Sequence, residues 1–446
     1  MSTAQRFAWL DVVSTVAVCG AAIAVLPPSQ PPTTVWGLTV RVAVVALVCI
    51  VAFYYNDLYN FEVPHDVGQL FHRLCRALGL SALALAAVYM MFPAMILGGN
   101  LASYALLLTL VSVLVVRVVV YTLARRAFFQ RVLLLGGGPL AAELARQIRT
   151  RPDLALRLIG TLGPPGVEAE APRLGDYGAI GDVVRRYRPD RIIIAMPDRR
   201  GNLPVSDLLA CRIRGVTVEE GTRAYERFTG RLAVESLSPS TLIFGDGFQA
   251  RRLPLATMRA LSVTVAFITL VLTAPLIGLI ALAIRLESRG PVFFIQERVG
   301  LHGRRFRLLK FRTMVESDPG EDSVWGRDNV SRVTRLGAVL RRYRLDELPQ
   351  CLNILKGDMS LIGPRPEMAA NVATFEAVIP FYSFRHEVRP GLTGWAQVKA
   401  GYSMSTEEVR RKLCYDLYYI KHMSPAFDVQ ILVDTIKFVL SGKRPG

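Results

Sequence analysis

Residues 261–284, LSVTVAFITLVLTAPLIGLIALAI, form one apolar run without a charged side chain. At ~1.5 Å per residue, a helix of this length crosses the ~30 Å hydrocarbon core of a bilayer. Two features oppose a simple crossing. Pro275 sits near the middle, where it removes a helix hydrogen bond and kinks the axis. Both flanks are basic, with Arg251, Arg252 and Arg259 before the run and Arg285, Arg289, Arg298, Arg304 and Arg305 after it. A crossing leaves one of those flanks outside, against the preference of basic residues for the cytoplasmic side. The expectation is a re-entrant helix–break–helix over 261–284 that enters and leaves on the cytosolic face. Its break should be shallow or shielded, because lipid tolerates no bare backbone polar groups. A kinked spanning helix is the alternative.

Four further apolar stretches lie upstream, at about 7–26, 36–55, 75–97 and 101–121. Each is long enough for a transmembrane helix. Asp11 and Arg117 interrupt two of them, as helix-end or bundle-facing charges. Arg6, Arg73, Arg76, Arg125, Arg126 and Arg131 fall on one side of the implied bundle, and the linkers 27–35 and 97–100 carry no charge. Both ends of the bundle, and everything after it, are therefore expected in the cytosol. Hydrophobic residues make up 52% of the 446 positions, mean hydropathy is +0.34 and net charge is +17. That combination fits a membrane protein of two or three folded units facing lipid headgroups or phosphate substrates better than nucleic acid. Too few helices and no clustered intramembrane charge leave little support for a transporter. The six scattered cysteines contain no CxxC pair, so neither a zinc site nor a disulfide framework is supported.

Residues 131–139, RVLLLGGGP, and the following LAAELARQIR read as a buried strand, a glycine turn and a helix. Gly136, Gly138 and Ala141 fit G-x-G-x-x-A, the turn that admits a pyrophosphate at a helix N-terminus. Strands are also expected at 156–162 and 190–195, giving a parallel, doubly wound sheet. The second strand ends Gly160-Thr161-Leu162-Gly163, with no carboxylate for a ribose. A structural or regulatory Rossmann-like module is expected, rather than nicotinamide chemistry.

Asp346 and Glu347 are adjacent carboxylates in an arginine-rich stretch, LRRYRLDELPQ. On residues alone, such a pair before Pro349 is more often a cap or a solvated turn than a site. The surrounding cations raise the catalytic reading. Lys310 and Arg312 alternate with Phe311, Arg341 lies just upstream, and Arg365 is held between Pro364 and Pro366 in a form suited to bidentate phosphate binding. His65, His72, His302, His386 and His422 are dispersed, and none is assigned a catalytic role. Trp395 is read as stacking on a base or sugar or, by preference, as lying at the headgroup level. The apolar face at 428–440 fits either the membrane surface or internal packing.

QERVG (296–300), KFRTM (310–314), LDELPQ (345–350), GDMSLIGPRPE (357–367), RPGLTGWAQV (389–398) and DLYYIKHMS (416–424), in that order, resemble the bacterial polyprenyl-phosphate sugar-1-phosphate transferases. These are monotopic phosphoglycosyl transferases, and the tail looks most like their exopolysaccharide branch. The motifs cover about 255–445, and the upstream architecture resembles the large form of the family. The resemblance implies a four-helix transmembrane bundle over 1–125, a Rossmann-like cytosolic domain over 130–248, and an α-rich catalytic domain over 250–446 with a re-entrant helix. It implies transfer of a sugar 1-phosphate from a UDP-sugar, glucose or galactose before an acetamido sugar, to undecaprenyl phosphate at the inner membrane, with release of UMP. It assigns Asp346 as the nucleophile that forms a phosphosugar–aspartate and Glu347 as a ligand of Mg²⁺. Lys310, Arg312, Arg341, Gln350 and Arg365 become phosphate or substrate contacts, and a homodimer is expected. Two departures stand out. Met258 and Ser262 replace a lysine and an aspartate around Arg259, which bears on an anchoring contact. Val330-Ser331-Arg332 replaces Asp-Pro-Arg, with Thr334 kept. The rival reading is a non-catalytic membrane sensor whose Rossmann-like module binds a nucleotide; UMP release separates the two.

Overall fold

The computed structural model describes residues 35–55, 67–93, 129–151, 154, 156–163, 171–197, 203–234, 247–248, 252–315, 332–400 and 405–441. The chain divides into two compact units, Met1–Ala224 and Tyr225–Gly446. The expected helices at 7–26 and 101–121 and the Val330–Ser331 departure lie outside the described residues.

In the first unit, α1 (Val35–Tyr55) matches the apolar stretch expected at 36–55, α2 (Val67–Met91) overlaps the one expected at 75–97 but starts eight residues earlier, and the two pack together. Many of their buried positions are small, Ala46, Cys49, Ala52, Ala77 and Ser81, while Leu47, Val51 and Leu83 are exposed. Small side chains let helix backbones approach closely. The same unit holds five parallel strands: β1 (Gln130–Leu135), β2 (Leu156–Leu162), β3 (Arg173–Gly175), β4 (Arg191–Ile194) and β5 (Thr217–Glu220). Their order is β3-β2-β1-β4-β5, and α3 (Pro139–Thr150), α4 (Ile180–Tyr187) and α5 (Val205–Ile213) occupy the crossovers. This is the doubly wound arrangement, with its strand order reversing between β1 and β4. Val132 to Leu135 are fully buried, as a central parallel strand covered on both faces requires. Gly136 has φ 125°, and a Cβ there would lie 2.5 Å from the carbonyl carbon of Ala195, so only glycine permits this turn beside β4. At the end of β2 the Gly163 carbonyl accepts a hydrogen bond from Arg173 Nε at 2.7 Å. α6 (Gly221–Thr229) then carries the chain into the second unit.

The second unit reaches back ahead of residue 250, since Leu232 and Val234 sit in its core. Its longest element is α7 (Arg252–Glu287). Within Leu255–Glu287 the mean hydropathy of the most apolar 18-residue window is 2.6, and 11% of that window is buried; among the described residues, this is the helix long and apolar enough to cross a membrane. The break expected at Pro275 is not found: α7 runs as one α-helix with Pro275 inside it. Close by, Thr273 Oγ1 donates to the Thr269 carbonyl at 2.7 Å, back-bonding of a kind that bends helices. Both ends of α7 pack on the same unit. Met258 and Ala266 enter the main core with Cys351, Ile354 and Leu361, while Ile280 and Ile284 pack with Phe311 and Leu340. Between them Phe267, Ile268, Val271, Leu272 and Leu279 lie exposed.

The rest of the unit frames the carboxylate pair. β6 (Phe293–Val299) and β7 (Arg305–Phe311) form an antiparallel hairpin. α8 (Arg335–Arg342), N-capped by Thr334, leads into a 3-10 turn at Leu345–Glu347 and then α9 (Gln350–Lys356). β8 (Ser360–Ile362) pairs in parallel with β9 (Gly391–Thr393), with α10 (Ala369–Val378) between them. α11 (Trp395–Lys399), α12 (Thr406–Lys421) and α13 (Pro425–Ser441) close the unit. Trp395 is neither a stacking platform nor an interfacial anchor here. It is 7% exposed, packs against Tyr418 and Phe427, and donates its indole N–H to the Gly230 carbonyl at 2.7 Å. Burial with its N–H satisfied is the ordinary fate of a core tryptophan. α13 packs internally through Asp428 and Ile431, while Val429 and Ile436 stay exposed.

Candidate active site

The 3-10 turn Leu345–Glu347 follows Arg344, which adopts a left-handed conformation at φ 59°. A non-glycine residue at positive φ stores strain of the kind concentrated at functional sites. Both carboxylates are buried, Asp346 at 9% exposure and Glu347 at 8%. Glu347 Oε1 faces three cations. It accepts a hydrogen bond from Arg365 Nη2 at 2.7 Å, lies 3.4 Å from Lys310 Nζ and 3.6 Å from Arg344 Nη1. Burial alone raises a carboxyl pKa, but Arg365, Lys310 and Arg344 outweigh it and hold Glu347 at about 2. Asp346 is driven the other way: burial first, then the Glu347 charge, raise it, while Lys310, Arg341 and Arg344 only partly counter. Its Oδ1 is buried without a hydrogen-bond partner, as is Nε2 of Gln350, four residues on. Orphaned buried polar atoms are rare in native proteins and call for a partner.

The supports come from distant segments. Asn353 on α9 accepts from the Leu309 amide at 3.1 Å and donates to the Arg307 carbonyl at 2.8 Å, tying β7, and Lys310 with it, to α9. Burial and the Arg365 charge press the Lys310 pKa down, with Glu347 and Asp346 opposing. Behind Arg365 lies Arg385. Its Nη2 donates to the Arg365 carbonyl and to Asp416 Oδ2, each at 2.9 Å, and its Nη1 donates to the Tyr382 hydroxyl at 2.7 Å. Burial opposes the Arg385 charge, yet Tyr382, Asp416 and Glu367 keep its pKa above the ordinary value. Arg298 reaches the Pro366 carbonyl at 3.2 Å.

Of the residues singled out in the sequence, Asp346, Glu347, Lys310 and Arg365 are thus brought together. Arg341 acts on Asp346 through its charge while its Nε donates to Thr313 Oγ1 at 2.8 Å. Arg312 goes elsewhere: its guanidinium donates to the carbonyls of Ser288 and Arg289, both at 2.9 Å, pinning the loop after α7. Arg344, Arg385, Asn353 and Asp416 escaped the sequence reading as site residues. The sole signal for Arg344 was its position three before Glu347. The anchoring contact exists despite the two departures: Arg259 donates to the carbonyls of Ile354 and Met359 at 2.7 and 3.0 Å, Met258 is core, and Ser262 Oγ meets Ser360 Oγ at 3.0 Å. Among the described residues, no three His, Cys, Asp or Glu side chains converge as a metal cage. Mg²⁺ is otherwise held through one or two carboxylates together with substrate phosphates; here the orphaned oxygen is that of Asp346, and Glu347 Oε1 faces Arg365, Lys310 and Arg344.

A sequence family described as "Bacterial sugar transferase" matches residues 254–442, and one described as "CoA-binding domain" matches residues 54–203. The chain is 41% identical over 235 residues to a UDP-N-acetylgalactosamine-undecaprenyl-phosphate N-acetylgalactosaminephosphotransferase of Aeromonas hydrophila, covering 53% of this chain and 55% of that one. It is 35% identical over 328 residues to an undecaprenyl-phosphate glucose phosphotransferase of Komagataeibacter xylinus, covering 71% and 60%. It is 44% identical over 185 residues to a UDP-glucose:undecaprenyl-phosphate glucose-1-phosphate transferase of Caulobacter vibrioides, covering 41% and 69%. The chain therefore spans little more than half of the first two relatives.

Proposed function

The chain belongs to the bacterial sugar transferase family, and from that premise we propose that it transfers a sugar 1-phosphate from a UDP-sugar to undecaprenyl phosphate. The observation that carries the assignment is the unequal pair: Glu347 is held ionised by three cations, while Asp346 is raised and keeps an unpartnered oxygen. Neighbouring carboxyls pushed apart in pKa take different roles. Asp346 is the nucleophile. Its carboxylate forms a bond to the sugar-bearing phosphorus, the phosphoanhydride bond breaks and UMP leaves. An oxygen of the lipid phosphate then attacks the same phosphorus, the acyl-phosphate bond breaks, and the aspartate returns. Lys310, Arg344 and Arg365 offset phosphoryl charge that a carboxylate nucleophile alone would repel. Glu347 and the donor phosphates would hold Mg²⁺, which when bound neutralises part of the diphosphate charge.

Relatives named for glucose and for N-acetylgalactosamine both align here, so the sugar is the choice left to experiment, with glucose or galactose favoured. The exposed middle and anchored ends of α7 support a re-entrant helix that enters and leaves on the cytosolic face of the inner membrane. The N-terminal helices form the four-helix anchor, and the protein acts as a homodimer. The test is UMP release and radiolabelled transfer to lipid by purified protein over a panel of UDP-sugars, with Asp346→Asn alongside. Loss of transfer in a folded Asp346→Asn protein is expected; wild-type activity in that variant overturns the dyad assignment.

A further inference from the structure

β6 opens with Phe293, Phe294 and Ile295, and all three are exposed, at 39%, 48% and 56%. An edge strand that shows apolar side chains on both faces is a hazard that native proteins cover. In the hairpin register Phe294 is paired with Lys310, Phe293 with Phe311 and Ile295 with Leu309. Directly paired residues share a face of the sheet. Phe294 therefore stands on the Lys310 face, beside the cation that meets Glu347 Oε1 at 3.4 Å. Phe293 stands on the opposite face, stacked on Phe311 at 5.5 Å between centroids.

The strand is also continuous with the apolar helix. α7 ends at Glu287 with Leu279, Leu282 and Leu286 exposed, and β6 begins six positions later. The connecting loop is fixed: Arg312 holds the Ser288 and Arg289 carbonyls, and Arg285 Nη1 donates to the Gly290 carbonyl at 2.7 Å. A nucleobase or a sugar stacks on one face of an aromatic ring and leaves the rest of such an edge uncovered. A hydrocarbon phase covers both faces of a strand at once, and it already suits the neighbouring helix end. We propose that the Phe293–Ile295 edge is the contact for hydrocarbon chains, with Phe294 receiving the chain of the acceptor where it meets its phosphate beside Lys310. The proposal rests on the transferase reading and adds the subsite for the acceptor's alkyl chain.

Two measurements test it, both on the full chain. In the first, Phe294→Trp is placed in vesicles containing lipids brominated along their chains. Quenching of its fluorescence above that of the unsubstituted protein is expected, and its absence overturns the proposal whether or not the protein is active. In the second, Phe294→Ser and Phe294→Leu are assayed in detergent for the donor half-reaction, UDP-sugar with UMP exchange, and for transfer to undecaprenyl phosphate and to farnesyl phosphate. The expected result for Phe294→Ser is a KM for undecaprenyl phosphate raised about tenfold, a change of ~1.4 kcal/mol, with a smaller effect on farnesyl phosphate. Donor exchange should stay within about twofold of wild type, ~0.4 kcal/mol at 1.4 kcal/mol per tenfold, and Phe294→Leu should restore most of the loss. A raised donor KM points to a nucleobase on Phe294 and overturns the proposal, as does an unchanged acceptor KM. Wild-type protein that never releases UMP sinks the transferase reading instead.

Discussion

Replacing Glu347 by Gln removes one charge and little volume from a buried cluster of cations, so the loss can be worked from the structure. Two effects compete at Glu347. Burial disfavours its charge, and Arg365, Lys310 and Arg344 favour it. The cations win, because the carboxyl sits at about 2 against an ordinary 4.5. At ~1.36 kcal/mol per tenfold, that difference is about 3 kcal/mol of net stabilisation by the charged form. Because the folded-state value is depressed, this contribution is complete above 4.5 and is lost as pH falls toward 2. Glu347→Gln should therefore lower stability at pH 7 by about 3 kcal/mol, or roughly 6–12 °C in Tm for a unit of this size. The deficit should shrink steadily below pH 4.5. Thermal unfolding of wild type and variant in the same detergent, followed across pH 3.5 to 8, measures both quantities. A variant as stable as wild type at pH 7, or a deficit that widens on acidification, refutes the argument that the cations dominate desolvation here.

Arg385→Met leaves Asp416 buried without its partner and frees the Arg365 carbonyl and the Tyr382 hydroxyl, which should cost about 3–5 kcal/mol in chemical unfolding; Arg385→Lys should recover part of it. The raised Asp346 pKa predicts that the donor half-reaction falls on its acid side through a limb above the ordinary aspartate value of 3.8. Arg341 lowers that pKa, so Arg341→Met should move the limb to higher pH in a pH–rate profile, and a limb displaced downward would count against Asp346 as the titrating group. Trp395→Phe loses the indole bond to the Gly230 carbonyl, a loss of about 1 kcal/mol by unfolding, with the KM for UDP-sugar unchanged; a raised KM would restore the stacking role that the buried ring argues against.

What the sequence made legible is what neighbouring residues decide. Strand β1 follows from the apolar run Val132–Leu135, Gly136 from a turn that only glycine permits, and the Asp346–Glu347 contrast begins as two adjacent side chains in one tight turn. The misreadings share a different cause. Alternation of Lys310, Phe311 and Arg312 suggests that both cations face one way, yet β7 ends at Phe311, so the period of two stops before Arg312 and its head turns to the loop after α7. Trp395 carries an amphipathic ring suited to an interface, but its polar partner, Gly230, lies 165 positions away in the chain. Arg385 is set by Asp416, which no local spacing announces.

The Met258 and Ser262 departures show how such distant contacts let a motif vary. The family's lysine and aspartate at these positions are both charged, and here the two sites are buried at 6% and 1% exposure. Charges desolvated there must recover several kcal/mol from each other or from further hydrogen bonds. Replacing both with neutral residues removes the two desolvation costs together. The Ser262–Ser360 hydroxyl contact and the apolar packing of Met258 take their place. Arg259 between them keeps the part that neutral residues cannot supply, two charge-assisted bonds to the carbonyls that end α9 and precede β8. Of the motif's charged groups, Arg259 alone therefore keeps its charge in the tie between α7 and the α9–β8 segment, beside the Ser262–Ser360 contact and the packing of Met258.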